Sequence, residues 1–173
     1  SAGVAVELSV AEGLVPARGD LGLALQVVLN LALNAVAAVR GRPRRVVRIE
    51  VAPTCRRRRQ GDLDGEPGRA GRSRVDAIVC RVSDSGDGVA AENAARIFDP
   101  FFTTKAPGEG TGLGLANARR LAEEMDGEVE LEAERSLLGG ACFRFVLPVF
   151  SEAEPVGPTD GIGRAEVRQS RMS

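Results

Sequence analysis

Residues 4–10 alternate Val4, Val6, Leu8 and Val10 with Ala5, Glu7 and Ser9, the period-2 pattern of a half-buried strand. After Asp20 the period changes. Leu21, Leu25, Val28, Leu29, Ala32, Val36 and Val39 recur at helical spacing, and Asp20 suits an N-cap, so a helix is predicted over 20–40. Strand character returns over 44–52, carried by Val47, Ile49 and Val51. Residues 54–74 break the pattern with four consecutive arginines from Arg56 to Arg59, then Gly, Asp, Pro and Ser, and predict a solvated, mobile loop. A strand over 75–83 leads into a glycine turn at 84–88, and a short helix is expected over 91–98. The glycine-rich stretch 108–114 opens a helix that should end near Gly127, read as its C′ glycine. Strands over 128–134 and 141–149 close the pattern, and 151–173 read as a tail or linker.

The order β-α-β-β-α-α-β-β predicts an α/β (α+β) two-layer sandwich. A mixed sheet would be covered on one face by about three helices, as one domain over 1–150. No repeat interrupts it. The polypeptide has 173 residues with 43% hydrophobic content, enough for a core. Its formal net charge of −1 points to no nucleic-acid or membrane partner. Arg56 to Arg59 are also open to contact with an acidic partner or nucleic acid, against which a plain solvated loop is preferred. No apolar run is read as a membrane span, and no signal peptide opens the chain, whose start inside a strand suggests a piece of a longer protein.

Three absences narrow the chemistry. The chain has no His, Tyr or Trp, which excludes a Ser-His-Asp triad, a Cys-His pair and a histidine base within it. Cys55, Cys80 and Cys142 are odd in number and widely spaced, so they read as reduced cytosolic thiols.

Four constellations remain. Gln26, Asn30 and Asn34 stack at i, i+4, i+8 on an otherwise apolar helix. Such a row serves equally as a solvent face, but the flanking Leu29, Leu31, Leu33 and Ala35 favour a cavity wall. Amide oxygens suit Mg²⁺ where a ligand's phosphates supply the charge. Asp84-Ser85-Gly86-Asp87-Gly88 closes a strand, with glycines that let a ligand approach and a carboxylate that can accept from an exocyclic amine; an Asp-rich turn capping the next helix is an equal reading. Gly86-x-Gly88-x-x-Ala91 mimics a dinucleotide fingerprint, but the following Pro100 and two phenylalanines do not fit that fold. Gly108-Glu109-Gly110-Thr111-Gly112-Leu113-Gly114-Leu115 bares backbone N–H groups at a helix start, a phosphate site without the P-loop signature. Lys105 is the only lysine among 23 basic residues and lies five positions before Gly110; its compact charge suits phosphates, although chance placement remains open.

Together these segments resemble the catalytic, ATP-binding domain of bacterial sensor histidine kinases, in the superfamily shared with gyrase-type ATPases and heat-shock chaperones. Residues 26–35 are similar to the family's N box, 84–88 to its G1 box, 97–105 to its F box and 110–115 to its G2 box. Phe143-Arg-Phe-Val-Leu-Pro148 resembles its closing strand, and the likeness spans about 4–149 in the family's order. The resemblance implies a Bergerat-type fold binding ATP and Mg²⁺. In it Asn34 would be the metal ligand and Asn30 would lie near the phosphates. Asp84 would pair with the adenine amino group, with Gly86 and Gly88 shaping the pocket and Val89, Ile97 and Leu115 beside the base. Thr103, Thr104 and Lys105 would lead into a lid over 106–109. Gly110, Thr111, Gly112, Leu113 and Gly114 would cradle the phosphates.

The full F box and short lid look most like the nitrogen-regulation type. Asn30, Asn34 and Lys105 would carry the catalytic load. The implied activity is γ-phosphoryl donation to a histidine on a dimerisation domain absent from this chain, upstream in the same protein, and then to the receiver domain of a response regulator. A cytoplasmic, monomeric fragment with no nucleic-acid or direct membrane contact is expected. A degenerate nucleotide-sensing scaffold, or a related ATPase or serine kinase, are the alternatives. Three departures stand out: no acceptor histidine, the Arg-rich insertion, and no basic residue directly after Asn34.

Overall fold

The computed structural model describes residues 3–57, 74–106 and 110–149. Along the chain lie β1 (Ala5–Val10), α1 (Leu21–Ala38), β2 (Val46–Arg57), β3 (Arg74–Asp84), α2 (Ala91–Ala94), α3 (Gly114–Glu123), β4 (Glu128–Leu131) and β5 (Cys142–Pro148). The sheet order is β1-β2-β3-β5-β4. β1 pairs with β2 in parallel while every other pair is antiparallel, which makes the expected mixed sheet. A parallel pair needs a crossover, and α1 supplies it. It packs against α3 and β3.

The helix α1 begins where Asp20 accepts a hydrogen bond from the Leu23 N–H at 2.9 Å. Its buried line is Val27, Leu31 and Ala35, continued by Val39 at the C-cap, rather than the row beginning at Leu21. Leu21, Leu25, Leu29 and Leu33 point outward and are exposed. The helix is apolar on almost every side, so spacing alone fits two faces and packing on the sheet chooses between them. For the same reason it is, at 18 residues and mean hydropathy 1.9, long and apolar enough to cross a membrane by length and composition, contrary to the expectation from the sequence. Here one line of it, Val27, Leu31 and Ala35, is buried in the core.

Leu31, fully buried between the layers, gives the cleanest test of this packing. Leu31→Ala should cost about 2–5 kcal/mol, read as a lower urea midpoint at unchanged slope.

Four further expectations are corrected. All six residues of β1 are exposed, because it is the sheet's edge and the helices do not reach over it. The expected loop over 54–74 starts later, since the β2–β3 ladder runs on from Thr54↔Ala77 to Arg57↔Arg74; residues 58–73 lie outside the described residues, as do 151–173. The short helix expected over 91–98 is cut to Ala91–Ala94, which leaves Ile97 and Phe98 as buried anchors beyond it. At the end of α3 the left-handed residue is Asp126, with φ 57°, not Gly127. Gly127 is needed for space: a Cβ there would lie 2.7 Å from the Val146 carbonyl oxygen. Cys80 and Cys142 are buried, and burial pushes both thiols up to about 11, so they are inert packing groups at neutral pH.

Candidate functional site

Asn30 and Asn34 sit half-buried on the flank of α1's core line, and Gln26, one turn earlier, is exposed. Among the described residues neither asparagine amide has a hydrogen-bond partner. A helix that spends two mediocre formers on unpaired, half-buried amides has them available for something else.

One turn beyond Asn34, the end of α1 meets the turn that follows β3. Ala38 closes over Gly86 so tightly that a Cβ would lie 2.8 Å from the Ala38 carbonyl oxygen. Ser85 ties the turn to the start of β2. Its hydroxyl donates to the Arg44 carbonyl and accepts from the Val46 N–H, both at 3.0 Å. Asp87 pairs with Arg42, and Gly88 adopts a left-handed φ of 76° that favours glycine.

Asp84 lies at the centre and is 1% exposed. Its Oδ1 accepts from the Gly86 N–H at 2.8 Å and the Ala141 N–H at 3.3 Å. Among the described residues nothing donates to Oδ2. Burial raises the carboxyl above its usual range, the two backbone bonds pull the other way, and the charge on Asp87 adds to the rise. A buried carboxylate with one oxygen unpaired is costly unless a donor arrives from outside the chain. The alternative reading of this turn as a cap is not what the structure has, since α2 carries no side-chain cap.

The F-box and G2-box segments are joined through backbone. Phe101 donates its N–H to the Gly112 carbonyl at 3.0 Å. Gly112 has φ +67°, and a Cβ there would lie 2.4 Å from the Phe101 carbonyl carbon. Phe101 is itself left-handed at φ 66°, a strained state for a bulky residue, with an exposed ring. Thr103 accepts from the Lys105 N–H at 3.2 Å, and the two side chains flank Gly110. Thr104 is exposed beside them. Pro107, Gly108 and Glu109 of the expected lid lie outside the described residues.

The Leu113 N–H donates to the Thr111 hydroxyl at 3.4 Å, and α3 starts at Gly114 without a side-chain cap. Unlike α1, and among the described residues, it therefore offers the uncapped N–H groups of its first turn and the positive end of its dipole to an anion. Val89 and Leu115 are half-buried against the core, and Ile97 is buried within it. All three belong to the same apolar core.

Sequence reasoning missed the β4–β5 connection. Gly140 donates its N–H to the Asp84 carbonyl at 3.1 Å, and Ser136 donates its hydroxyl to the same oxygen at 2.9 Å. The Gly139-Gly140 doublet between two predicted strands was the one visible signal. Among the described residues no three His, Cys, Asp or Glu side chains come together as a metal cage. A cation here would draw its charge from a phosphate ligand and take neutral oxygens from the chain, which suits Mg²⁺ and the unpaired asparagines.

Comparison with known proteins identifies the family. The profile of the family described as "Histidine kinase-, DNA gyrase B-, and HSP90-like ATPase" matches residues 19–151. The sensor histidine kinase ZraS of Salmonella typhimurium is 35% identical over 130 residues, covering 75% of this chain and 22% of that protein. The sensor kinase CckA of Brucella abortus is 32% identical over 145 residues, covering 83% of this chain and 14% of its own length. The chain thus spans less than a quarter of these relatives. Among solved structures, full-length ShkA in complex with AMPPNP aligns with TM-score 0.59 and 29% identity, covering 86% of this chain and 27% of that one. The mycobacterial sensor histidine kinase MprB, at 21% identity and TM-score 0.55, shares the fold across 84% of this chain and 82% of its own. The chain belongs to the histidine kinase-, DNA gyrase B- and HSP90-like ATPases, as a catalytic domain of the sensor histidine kinase type.

Proposed function

We propose that the domain binds Mg·ATP between α1, the Asp84 turn and the start of α3, and presents the γ-phosphoryl group to a histidine on a helical domain of the parent protein. The observation that carries this reading is the unpaired Oδ2 of buried Asp84, which calls for a donor such as the adenine 6-amino group. Val89, Ile97 and Leu115 would flank the base. The N–H groups at Gly112 and Gly114, with that of Leu113 turning from the Thr111 hydroxyl, and with Gly110, Thr111 and the Thr103, Thr104 and Lys105 side chains, would hold the phosphates. Asn34, with Asn30 beside it, would offer amide oxygen to Mg²⁺, which when bound neutralises phosphate charge.

Phosphoryl transfer needs positioning and charge neutralisation more than acid–base groups, so a site of amides and backbone donors suffices. The nucleophile comes from elsewhere, since the chain has no histidine. ATP use within a phosphorelay also fits a cytoplasmic domain that hands the phosphoryl group on to a response-regulator receiver. The complete F box and short lid favour the nitrogen-regulation type.

The deciding experiment mixes the domain with the helical, histidine-bearing region of its parent protein and labelled ATP. Acid-labile, base-stable phosphate on that region is the expected product. Acid-stable phosphate would instead indicate a serine kinase, and nucleotide binding without any transfer would indicate a sensing scaffold.

A further inference from the structure

The connection between β4 and β5 sends Leu138 and Ala141 into the interior and is closely organised. Ser136 donates its N–H to the Gly140 carbonyl at 3.0 Å, and Gly139 donates back to the Ser136 carbonyl at 2.8 Å. The Ser136 hydroxyl accepts from the Leu138 N–H at 3.2 Å and donates to the Asp84 carbonyl at 2.9 Å, so its orientation is fixed from both sides. Arg135 closes the turn through Nη1 to the Gly139 carbonyl at 3.1 Å. Meanwhile Leu137, next to Ser136, is 97% exposed.

What this turn grips is Asp84. Its carbonyl receives two donors, the Ser136 hydroxyl and the Gly140 N–H, and its Oδ1 receives the Ala141 N–H. The backbone passes so close that a Cβ at Gly140 would lie 2.0 Å from Oδ1. Of these groups only the Ser136 hydroxyl is a side chain, and so only it can be altered without changing the backbone path.

We infer that Ser136 is a positioning residue for recognition of the 6-amino group: by holding the Asp84 carbonyl, its hydroxyl sets the direction in which Oδ2 points. The inference rests on the adenine reading above. Loss of the hydroxyl leaves the Asp84 carbonyl with one donor and strands the Leu138 N–H. The turn then slackens where the Ala141 N–H reaches Oδ1.

The test titrates the full chain with Mg·ATP and with purine riboside 5′-triphosphate, which lacks the 6-amino group. Wild type should prefer ATP. Ser136→Ala should weaken ATP roughly five- to tenfold and leave the analogue nearly unchanged, and Ser136→Thr, which keeps the hydroxyl, should restore the preference. In the ligand-free protein, the Gly86 and Ala141 amide resonances should move in Ser136→Ala and return in Ser136→Thr. Should the alanine variant not fold, Ser136→Cys, a weaker donor of similar size, carries the same comparison. Equal weakening of both nucleotides, or an unchanged preference in Ser136→Ala, overturns the inference while leaving the adenine reading intact. A wild type that does not distinguish the two nucleotides defeats that reading, and the inference with it.

Discussion

Asp84→Asn is expected to weaken ATP binding by about a hundredfold and, at neutral pH, to stabilise the ligand-free domain by on the order of 1 kcal/mol. Both effects come from one side chain. The asparagine oxygen can keep the bonds from the Gly86 and Ala141 N–H groups, so the turn should hold. The amide nitrogen then stands where Oδ2 stood and meets the incoming 6-amino group donor to donor. The stability gain follows from the carboxyl's environment, because burial raises its pKa above the unfolded value. A carboxyl with a raised folded pKa favours the fold most at pH below its unfolded value, and that contribution is lost as pH rises through the folded one. Urea titrations from about pH 4 to about pH 7 should show the variant's advantage widening with pH. A variant that binds ATP normally would remove Asp84 from the site, and an advantage that shrinks as pH rises would overturn the raised carboxyl pKa.

Such a trade between stability and binding explains what was legible beforehand. Patterning depends on local period, so the eight elements and their order could be read from Val47, Ile49 and Val51 or from the Leu-rich helix. Burial depends on neighbours. Nothing in α1's own sequence says that Leu31 faces the sheet while Leu25 and Leu29 face out, because all three are leucines at helical spacing. The exposure of β1 likewise follows from its place at the sheet edge, which only the pairing order reveals. The candidate site stood out for the opposite reason: its residues violate local rules. Asn30 and Asn34 interrupt an apolar helix, glycines crowd a helix start, and a carboxylate ends a buried strand. The Ser136 turn breaks no rule that a single chain displays. Its role comes from contact with Asp84 across 52 positions, and it stayed hidden.

Asn34→Ala carries the same logic to the metal. Alanine is the better helix former by about 0.7 kcal/mol, and the Asn34 amide has no hydrogen bond to lose among the described residues, so the ligand-free domain should melt no lower than wild type. With Mg²⁺ present, ATP binding should weaken by about a hundredfold, the scale of a lost charge-assisted contact of ~3 kcal/mol. With the metal chelated, wild type and variant should bind ATP alike, because the amide oxygen then has no cation to meet. The two arms separate the alternatives for this helix face. A solvent-facing asparagine would leave binding unchanged in both, a direct phosphate contact would lose affinity in both, and a packing role would lower the melting temperature. Only a residue reserved for Mg²⁺ gives a loss that appears with the metal, vanishes without it, and leaves the fold as stable as before.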